Sequence, residues 1–173
     1  MQNKALILVD FQKEWTNPNS ENFVGDISAV LDRTNELISF CREKDYKIIF
    51  TKHIEKDSVD VWSQKSEGTQ FINTIDKQSS DVVIIKNKIS PFFLTSLEQE
   101  LTGINEIVVC GILTNLCVRS VIQDAYDRDF DITVIKDCCV SFNQKTQDFT
   151  FEDLKETREE IKFIDTSEFI KSV

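Results

Sequence analysis

The chain has 173 residues, of which 40% are hydrophobic and 29% are charged, and it contains only four Gly and two Pro residues. This composition is typical of one globular domain and excludes collagen-like, repeat and linker-rich chains. The formal net charge of −10 argues against nucleic acids and anionic membrane surfaces as partners. We therefore expect a single domain over residues 1–173 with no internal boundary.

The N-terminal segment and the cysteines bear on localisation. The first apolar run extends from Ala5 to Val9 and is too short for the core of a signal peptide or a membrane span. The five cysteines are odd in number and form no CxxC pair. A disulfide framework or a structural zinc site is therefore not expected, and the reducing cytoplasm is the predicted compartment.

Apolar, β-branched runs alternate with helical patterns along the chain. Continuous apolar runs are typical of strands that are buried on both faces, as in a parallel sheet. Six runs predict strands at 5–10, 47–51, 82–86, 106–111, 132–137 and 162–166. Apolar spacings of three and four residues predict helices at 27–41, 94–101 and 118–126, with a further acidic helix around 149–161.

The alternation of strands and helices predicts the fold class. It indicates a doubly wound, three-layer α/β/α sandwich around a mainly parallel six-stranded sheet. The stretch 52–81 has no clean period, and we expect a long loop there with a short helix near 69–75. Long loops after strand ends are where such folds build their sites.

Three reactive residues fall at the carboxyl ends of predicted strands. Asp10 follows the first strand, Lys86 the third and Cys117 the fourth, and ligands of open α/β sheets bind beyond these ends. Each residue also has an ordinary alternative role. Asp10 is alternatively a helix cap or a solvated loop carboxylate, and Lys86 an ordinary charged residue at the end of a strand. Cys117 is alternatively a small core hydrophobe. Their coincidence at one edge favours a shared site.

The sequence around Cys117 favours a reactive thiol. Thr114 or Asn115 is a natural N-cap and would place Cys117 in the first turn of a helix. The helix dipole and the Lys86 ammonium would then lower the pKa of the thiol. The N–H groups of that turn are suited to hold a developing oxyanion, and Asp10 would transfer protons.

Three segments resemble the isochorismatase-like cysteine hydrolase family, which includes nicotinamidases, N-carbamoylsarcosine amidohydrolases and isochorismatase itself. The segments are LILVDFQKEW, VVIIKNKISPFFLTSLEQEL and IVVCGILTNLCVRSVIQDAYDRDFDITVIKD. The resemblance implies a Rossmann-like fold with Asp10, Lys86 and Cys117 as catalytic triad. It also implies a non-proline cis peptide between Ile112 and Leu113, and an oxyanion held by the N–H groups of Leu113 and Cys117.

The resemblance extends to the substrate pocket and the assembly. Lys88 is an alternative to Lys86, but the residues that follow Lys86 match the family spacing. Analogy suggests Trp15 and Phe92 as pocket walls, and loop position suggests Trp62; core packing is the alternative for all three. Family members are commonly dimers or tetramers, so a homodimer or homotetramer is implied.

The chain departs from the nicotinamidase pattern. Nicotinamidases carry an aspartate after the second strand and several histidines that bind a metal, whereas Thr51 and Lys52 here precede His53, the only histidine of the chain. One chain cannot assemble three histidine ligands, so we expect no metal and no other cofactor. His53 is a candidate for contact with substrate, with a structural role as the alternative.

These observations predict a metal-independent cysteine hydrolase. Isochorismatases cleave a vinyl ether and need no nucleophile, so the presence of Cys117 favours hydrolysis of a C–N bond in a small amide or carbamoyl compound through a thioester. The alternatives are a nicotinamidase-type hydrolase, an isochorismatase-type hydrolase and a non-catalytic member that acts as an interaction module.

Overall fold

Six parallel strands form the centre of the fold, in a computed structural model that describes residues 3–172. Their order in the sheet is β3-β2-β1-β4-β5-β6. The strands are β1 (Lys4–Val9), β2 (Lys47–His53), β3 (Val82–Lys86), β4 (Glu106–Ile112), β5 (Asp131–Val140) and β6 (Lys162–Ile164). The sequence predicted all six, because buried parallel strands require continuous apolar runs.

Helices cover both faces of the sheet. They are α1 (Ser28–Glu43), α2 (Leu97–Glu100), α3 (Arg119–Tyr126), α4 (Gln144–Thr157) and α5 (Thr166–Ser172). Helix α1 connects β1 to β2 toward one edge of the sheet, and α3 connects β4 to β5 toward the other edge. Because both crossovers are right-handed, the two helices lie on opposite faces of the sheet. The predicted three-layer α/β/α sandwich is confirmed. Within residues 3–172, no helix combines the length and the apolar character needed to cross a bilayer.

The predicted helix near 69–75 is wrong. The structure has only a single 3₁₀ turn there, at Glu67–Thr69. Beyond it, Phe71 forms an antiparallel bridge with Gln12, and the Ile72 N–H donates to the Phe11 carbonyl at 3.0 Å. This pairing holds the segment extended against the loop that follows β1, so the local sequence pattern is overridden.

Two other helix predictions differ from the structure in their bounds. The helix predicted at 94–101 is shortened to α2, because Leu94 has a φ of 52° that does not continue a right-handed helix. The helix predicted around 149–161 begins earlier, at Gln144, where the Asn143 side chain accepts a hydrogen bond from the Thr146 N–H. This N-cap fixes the start of α4.

Gly111 brings the carboxyl ends of β1 and β4 close together. It pairs with Val9 in the parallel register, and its φ of 142° lies where residues with a side chain are rarely found. A Cβ atom at this position would collide with the Val9 carbonyl oxygen. The close approach places Asp10, directly after β1, beside the segment that follows β4.

Candidate active site

Asp10 is held at the carboxyl end of β1 by both its backbone and its side chain. Its φ of 52° is a left-handed conformation that Asp tolerates better than most residues. Its N–H donates to Thr51 Oγ1 at 3.2 Å, and Thr51 Oγ1 donates to Asp10 Oδ1 at 2.6 Å. The other carboxylate oxygen, Oδ2, lies 2.8 Å from Lys86 Nζ, and neither side chain is exposed to solvent.

Lys86 ends β3 and reaches across β2 to the site. Besides Asp10, its Nζ lies 3.3 Å from Cys117 Sγ, 3.3 Å from the Lys88 carbonyl oxygen and 3.4 Å from His53 Nδ1. Burial lowers the pKa of Lys86, but its interactions with Asp10 and Cys117 outweigh this effect, and the net shift is upward. Lys86 is therefore a buried ammonium that joins the carboxylate to the thiol.

Cys117 lies in a π-helical turn, Thr114–Val118, between β4 and α3. The Leu113 carbonyl accepts hydrogen bonds from the N–H groups of both Leu116 and Val118 at 3.1 and 3.2 Å, which gives the turn its wide geometry. The side chain is half-buried. The structure thus brings together the three residues that the sequence placed at one sheet edge.

The sequence-based expectation of a lowered thiol pKa is wrong. Burial and the neighbouring Asp10 carboxylate raise the pKa of Cys117 to about 12, while Lys86 acts in the opposite direction. At neutral pH the group is therefore a thiol, and Lys86 links it to the Asp10 carboxylate, the nearby acceptor for its proton.

The predicted caps are also wrong. Helix α3 begins at Arg119, after Cys117, and the preceding turn has no side-chain cap. Thr114 Oγ1 instead donates to Gln147 Oε1 at 3.1 Å, and Asn115 Oδ1 accepts from Ser141 Oγ at 3.3 Å. Both side chains therefore connect the π-helical turn to residues in or just before α4 by hydrogen bonds.

Ile112 and Leu113 connect β4 to the π-helical turn. The peptide bond between them is cis, at the position that the family resemblance implies. Both residues are buried, with 0% and 2% of their surface exposed. The Leu113 backbone therefore lies immediately before the turn that carries Cys117.

The rings of Trp15, His53, Trp62 and Phe142 form an aromatic cluster. The Trp62 ring packs against Trp15, with centroids 4.9 Å apart, and edge-on against His53 at 5.6 Å. Phe142, which follows β5, packs edge-on against Trp15 at 6.2 Å. Because His53 contacts Lys86, the cluster adjoins the buried ion pair. Phe142 was not anticipated, although its position after a strand end was an available signal.

His53 is neutral at physiological pH. Burial and the positive charge of Lys86 lower its pKa, and the Asp10 charge only partly compensates. Its backbone is fixed by the buried Gln12 side chain, which accepts from the His53 N–H and donates to the His53 carbonyl, both at 2.8 Å. Gln12 was missed in the sequence because its role depends on a contact with a distant strand.

Phe92 is not part of the aromatic cluster. Its ring lies against the Arg128 guanidinium, whose carbon is 4.5 Å from the ring centroid. Arg128 follows the C-terminal end of α3, whereas Cys117 precedes its N-terminal end. The role of Phe92 as a pocket wall stays a prediction; the contact described for its ring is the one with Arg128.

A cavity of about 540 Å³ opens beside His53. Its other lining residues are Glu55, Lys56, Asn87, Lys88 and Ile89. Lys88, the alternative to Lys86, lines this cavity, and its carbonyl oxygen accepts a hydrogen bond from Lys86 Nζ. Across residues 3–172, His, Cys, Asp and Glu side chains form no cluster of three or more suited to a metal ion.

The whole fold and site can now be compared with known proteins. The model of the Isochorismatase domain family matches residues 4–166. This chain belongs to that family of hydrolases. The resemblance drawn from the sequence motifs is confirmed.

Characterised relatives and solved structures agree with this membership. Nicotinamidase 3 of Arabidopsis thaliana is 26% identical over 87% of this chain and 79% of its own length. Maleamate amidohydrolase of Pseudomonas putida is 26% identical over 78% of this chain and 70% of its own length. A cysteine hydrolase structure from Pseudomonas syringae pv. phaseolicola superposes with a TM-score of 0.89 at 22% identity, covering 98% of this chain and 91% of that one. That structure supports the fold.

Proposed function

We propose that this protein is a metal-independent cysteine hydrolase that cleaves a C–N bond of a small amide or carbamoyl compound through a thioester. The observation that carries the proposal is the position of Lys86 Nζ, 2.8 Å from Asp10 Oδ2 and 3.3 Å from Cys117 Sγ. A base, a cation and a nucleophile are thereby in contact. The names of two relatives, a nicotinamidase and a maleamate amidohydrolase, support amide hydrolysis.

The first step is the attack of Cys117 on the substrate carbonyl carbon. Asp10 accepts the thiol proton, and the Lys86 ammonium stabilises the thiolate that forms. The S–C bond forms as the carbonyl π-electrons move to oxygen. The N–H groups of Leu113 and Cys117 would hold this oxyanion, in the role that preorganised donors have in acyl transfer.

The second step releases the amine and then the acid. The tetrahedral intermediate collapses, and Asp10 returns its proton to the leaving nitrogen, so that ammonia or a small amine departs. Asp10 next removes a proton from water, which attacks the thioester. Cys117 leaves and recovers a proton, and the net reaction adds one water across the C–N bond.

The raised pKa of Cys117 fits this cycle. A thiol with a pKa of about 12 is almost entirely protonated at neutral pH, so attack requires a base in contact with it. Asp10 supplies that base, and Lys86 compensates the negative charge that the proton transfer leaves on sulfur. The nucleophile is therefore generated within the site during the reaction.

The aromatic cluster supports a small substrate with a flat or apolar acyl group. Trp62, Trp15 and Phe142 present ring surface next to the reactive residues, and His53 adds a neutral edge. We assign these four residues to the pocket wall. The cavity lined by Lys88 and Lys56 is the proposed entrance.

Metal independence and assembly are parts of the same proposal. Nicotinamidases carry an aspartate after the second strand, whereas Thr51 and Lys52 here precede the one histidine of the chain, His53, which ends β2. A cytoplasmic location and a homodimer or homotetramer remain predictions from the sequence and the family resemblance.

A screen of small carboxamides and carbamoyl compounds for released ammonia tests the proposed function. We expect at least one compound to be hydrolysed by the wild type and not by Cys117→Ala. Selective alkylation of Cys117 near neutral pH would separate this enzyme from a non-catalytic interaction module. Absence of hydrolysis across the screen, together with an unreactive Cys117, would contradict the proposal.

A further inference from the structure

Thr51 makes two hydrogen bonds to one residue of the proposed catalytic centre. It lies in β2, next to β1 in the sheet, and it is completely buried. Its Oγ1 donates to Asp10 Oδ1 at 2.6 Å and accepts from the Asp10 N–H at 3.2 Å. Neither the sequence motifs nor the family match assigns a role to this residue.

The two bonds fix the Asp10 backbone and carboxylate together. A hydroxyl has one proton, and here that proton is directed to Oδ1. The carboxylate is thereby oriented with Oδ2 toward Lys86 Nζ, at 2.8 Å. A carboxylate at position 51 would accept instead of donating and would place a second negative charge against Asp10.

We propose that Thr51 is a positioning residue that selects which oxygen of Asp10 carries the transferred proton. This inference rests on the proposed function. Thr51 holds Oδ1 on its own side of the carboxylate and leaves Oδ2 beside Lys86, which also contacts Cys117, so that the S–H bond breaks and an O–H bond forms at Oδ2.

Several charged or titratable groups face Asp10. Lys86 reaches it from β3, Cys117 from the π-helical turn, and His53 from the end of β2. Protonation of His53 would add a positive charge beside Lys86 and would also change the pH dependence of Cys117 alkylation. The test must therefore separate Asp10 from His53.

The experiment compares Thr51→Val, which keeps the shape and removes the hydroxyl, with Thr51→Ser, which keeps the hydroxyl. Two profiles are measured against pH: kcat/KM for an amide identified by the ammonia screen, and the rate of Cys117 alkylation by iodoacetamide, which needs no substrate. Thermal melting shows which variants are folded, and Thr51→Ala replaces Thr51→Val if the latter does not fold.

In Thr51→Val we expect the Cys117 alkylation profile to move to lower pH by about one unit, because a displaced Asp10 carboxylate raises the pKa of Cys117 less. We expect kcat to fall about tenfold with a smaller change in KM, since misplacement mainly affects the reacting geometry. Thr51→Ser should keep both profiles at the wild-type position. The shift should persist in a His53→Gln background.

Superimposable profiles for folded Thr51→Val and the wild type would overturn the inference, as would loss of the shift in the His53→Gln background. The two proposals fail in different ways. If no amide is hydrolysed but the alkylation profile still shifts, the proposed function fails and the role of Thr51 toward Asp10 stands. If amides are hydrolysed and neither profile shifts, only the inference on Thr51 fails.

Discussion

Cys117 and Cys138 lie in two regions of the same molecule with similar thiol pKa values and different partners. Burial raises the pKa of Cys138 to about 11, and burial with the Asp10 charge raises that of Cys117 to about 12. Cys138 is completely buried and lies 3.2 Å from the Thr166 hydroxyl, whereas Cys117 is half-buried and contacts Lys86, which is paired with Asp10. Reactivity is therefore determined by a base and a cation in contact with the thiol, and the resting pKa alone does not reveal it.

The largest expected effect is that of replacing Cys117. Cys117→Ala removes the sulfur that forms the thioester, and we expect kcat to fall by at least about 10⁴-fold while the fold persists. Cys138→Ala is the matched control, because it removes a thiol with a comparably raised pKa that faces no catalytic group. It should retain most of the activity in an ammonia-release assay. Normal turnover by Cys117→Ala would disprove covalent catalysis.

The next effect separates the two charged partners of Cys117. Asp10→Asn removes a charge that raises the thiol pKa, so alkylation of Cys117 should shift to lower pH; Lys86→Met removes a charge that lowers it, so alkylation should shift to higher pH. Both changes should reduce kcat by about 10²–10⁴-fold, since proton transfer or its charge compensation is lost.

The same variants have a stability consequence. Each leaves one unpaired charge in a pair that is not exposed to solvent, and loss of one partner of such a pair costs about 3–5 kcal/mol of unfolding free energy. The double variant Asp10→Asn/Lys86→Met should therefore be less destabilised than the sum of the single variants in denaturant titrations.

The alkylation prediction for Asp10→Asn and Lys86→Met has its own contradicting outcome. Unshifted alkylation of Cys117 in both folded single variants would mean that the three residues do not share a site.

A smaller effect on unfolding free energy is expected at Gly111. This residue lies between the regions of Cys117 and Cys138, because it is in β4 and pairs with Cys139 of β5. Gly111→Ala would force an unfavourable φ and a collision with the Val9 carbonyl, at a cost of about 3 kcal/mol in unfolding free energy. Gly103→Ala is the control, since its φ is also positive but a Cβ there meets no atom within 4 Å. Equal destabilisation of the two variants in urea titrations would refute the close approach of β1 and β4.

No change is expected on removal of divalent metal. The reacting groups of the proposed cycle are all side chains or backbone N–H groups, so treatment with a strong chelator should leave kcat unaltered. The measurement is ammonia release before and after dialysis against the chelator. A loss of activity that zinc, manganese or iron restores would revive the nicotinamidase-type alternative.

The sheet and the three reactive residues could be predicted from the sequence because each depends on local information. Buried parallel strands produce continuous apolar runs, and their carboxyl ends place Asp10, Lys86 and Cys117 at one edge. The family resemblance added the position of the cis peptide before Cys117, which the structure also has.

The remaining features depend on contacts between distant segments. Thr51 and Phe142 join the site through side chains that meet across the fold. The thiol pKa was predicted in the wrong direction because burial and the Asp10 charge outweigh Lys86, and neither could be weighed without coordinates. Motif spacing likewise does not reveal that the Phe92 ring packs against Arg128.

The most direct test of the central claim is mass spectrometry of the protein quenched in acid during turnover of an amide from the screen. Covalent catalysis predicts that the peptide containing Cys117 gains the mass of the substrate acyl group less one hydrogen, and that Cys138 remains unmodified. The adduct should be absent from Cys117→Ala. Rapid ammonia release by the wild type with no adduct on Cys117 under single-turnover conditions, and equal release by Cys117→Ala, would contradict the account.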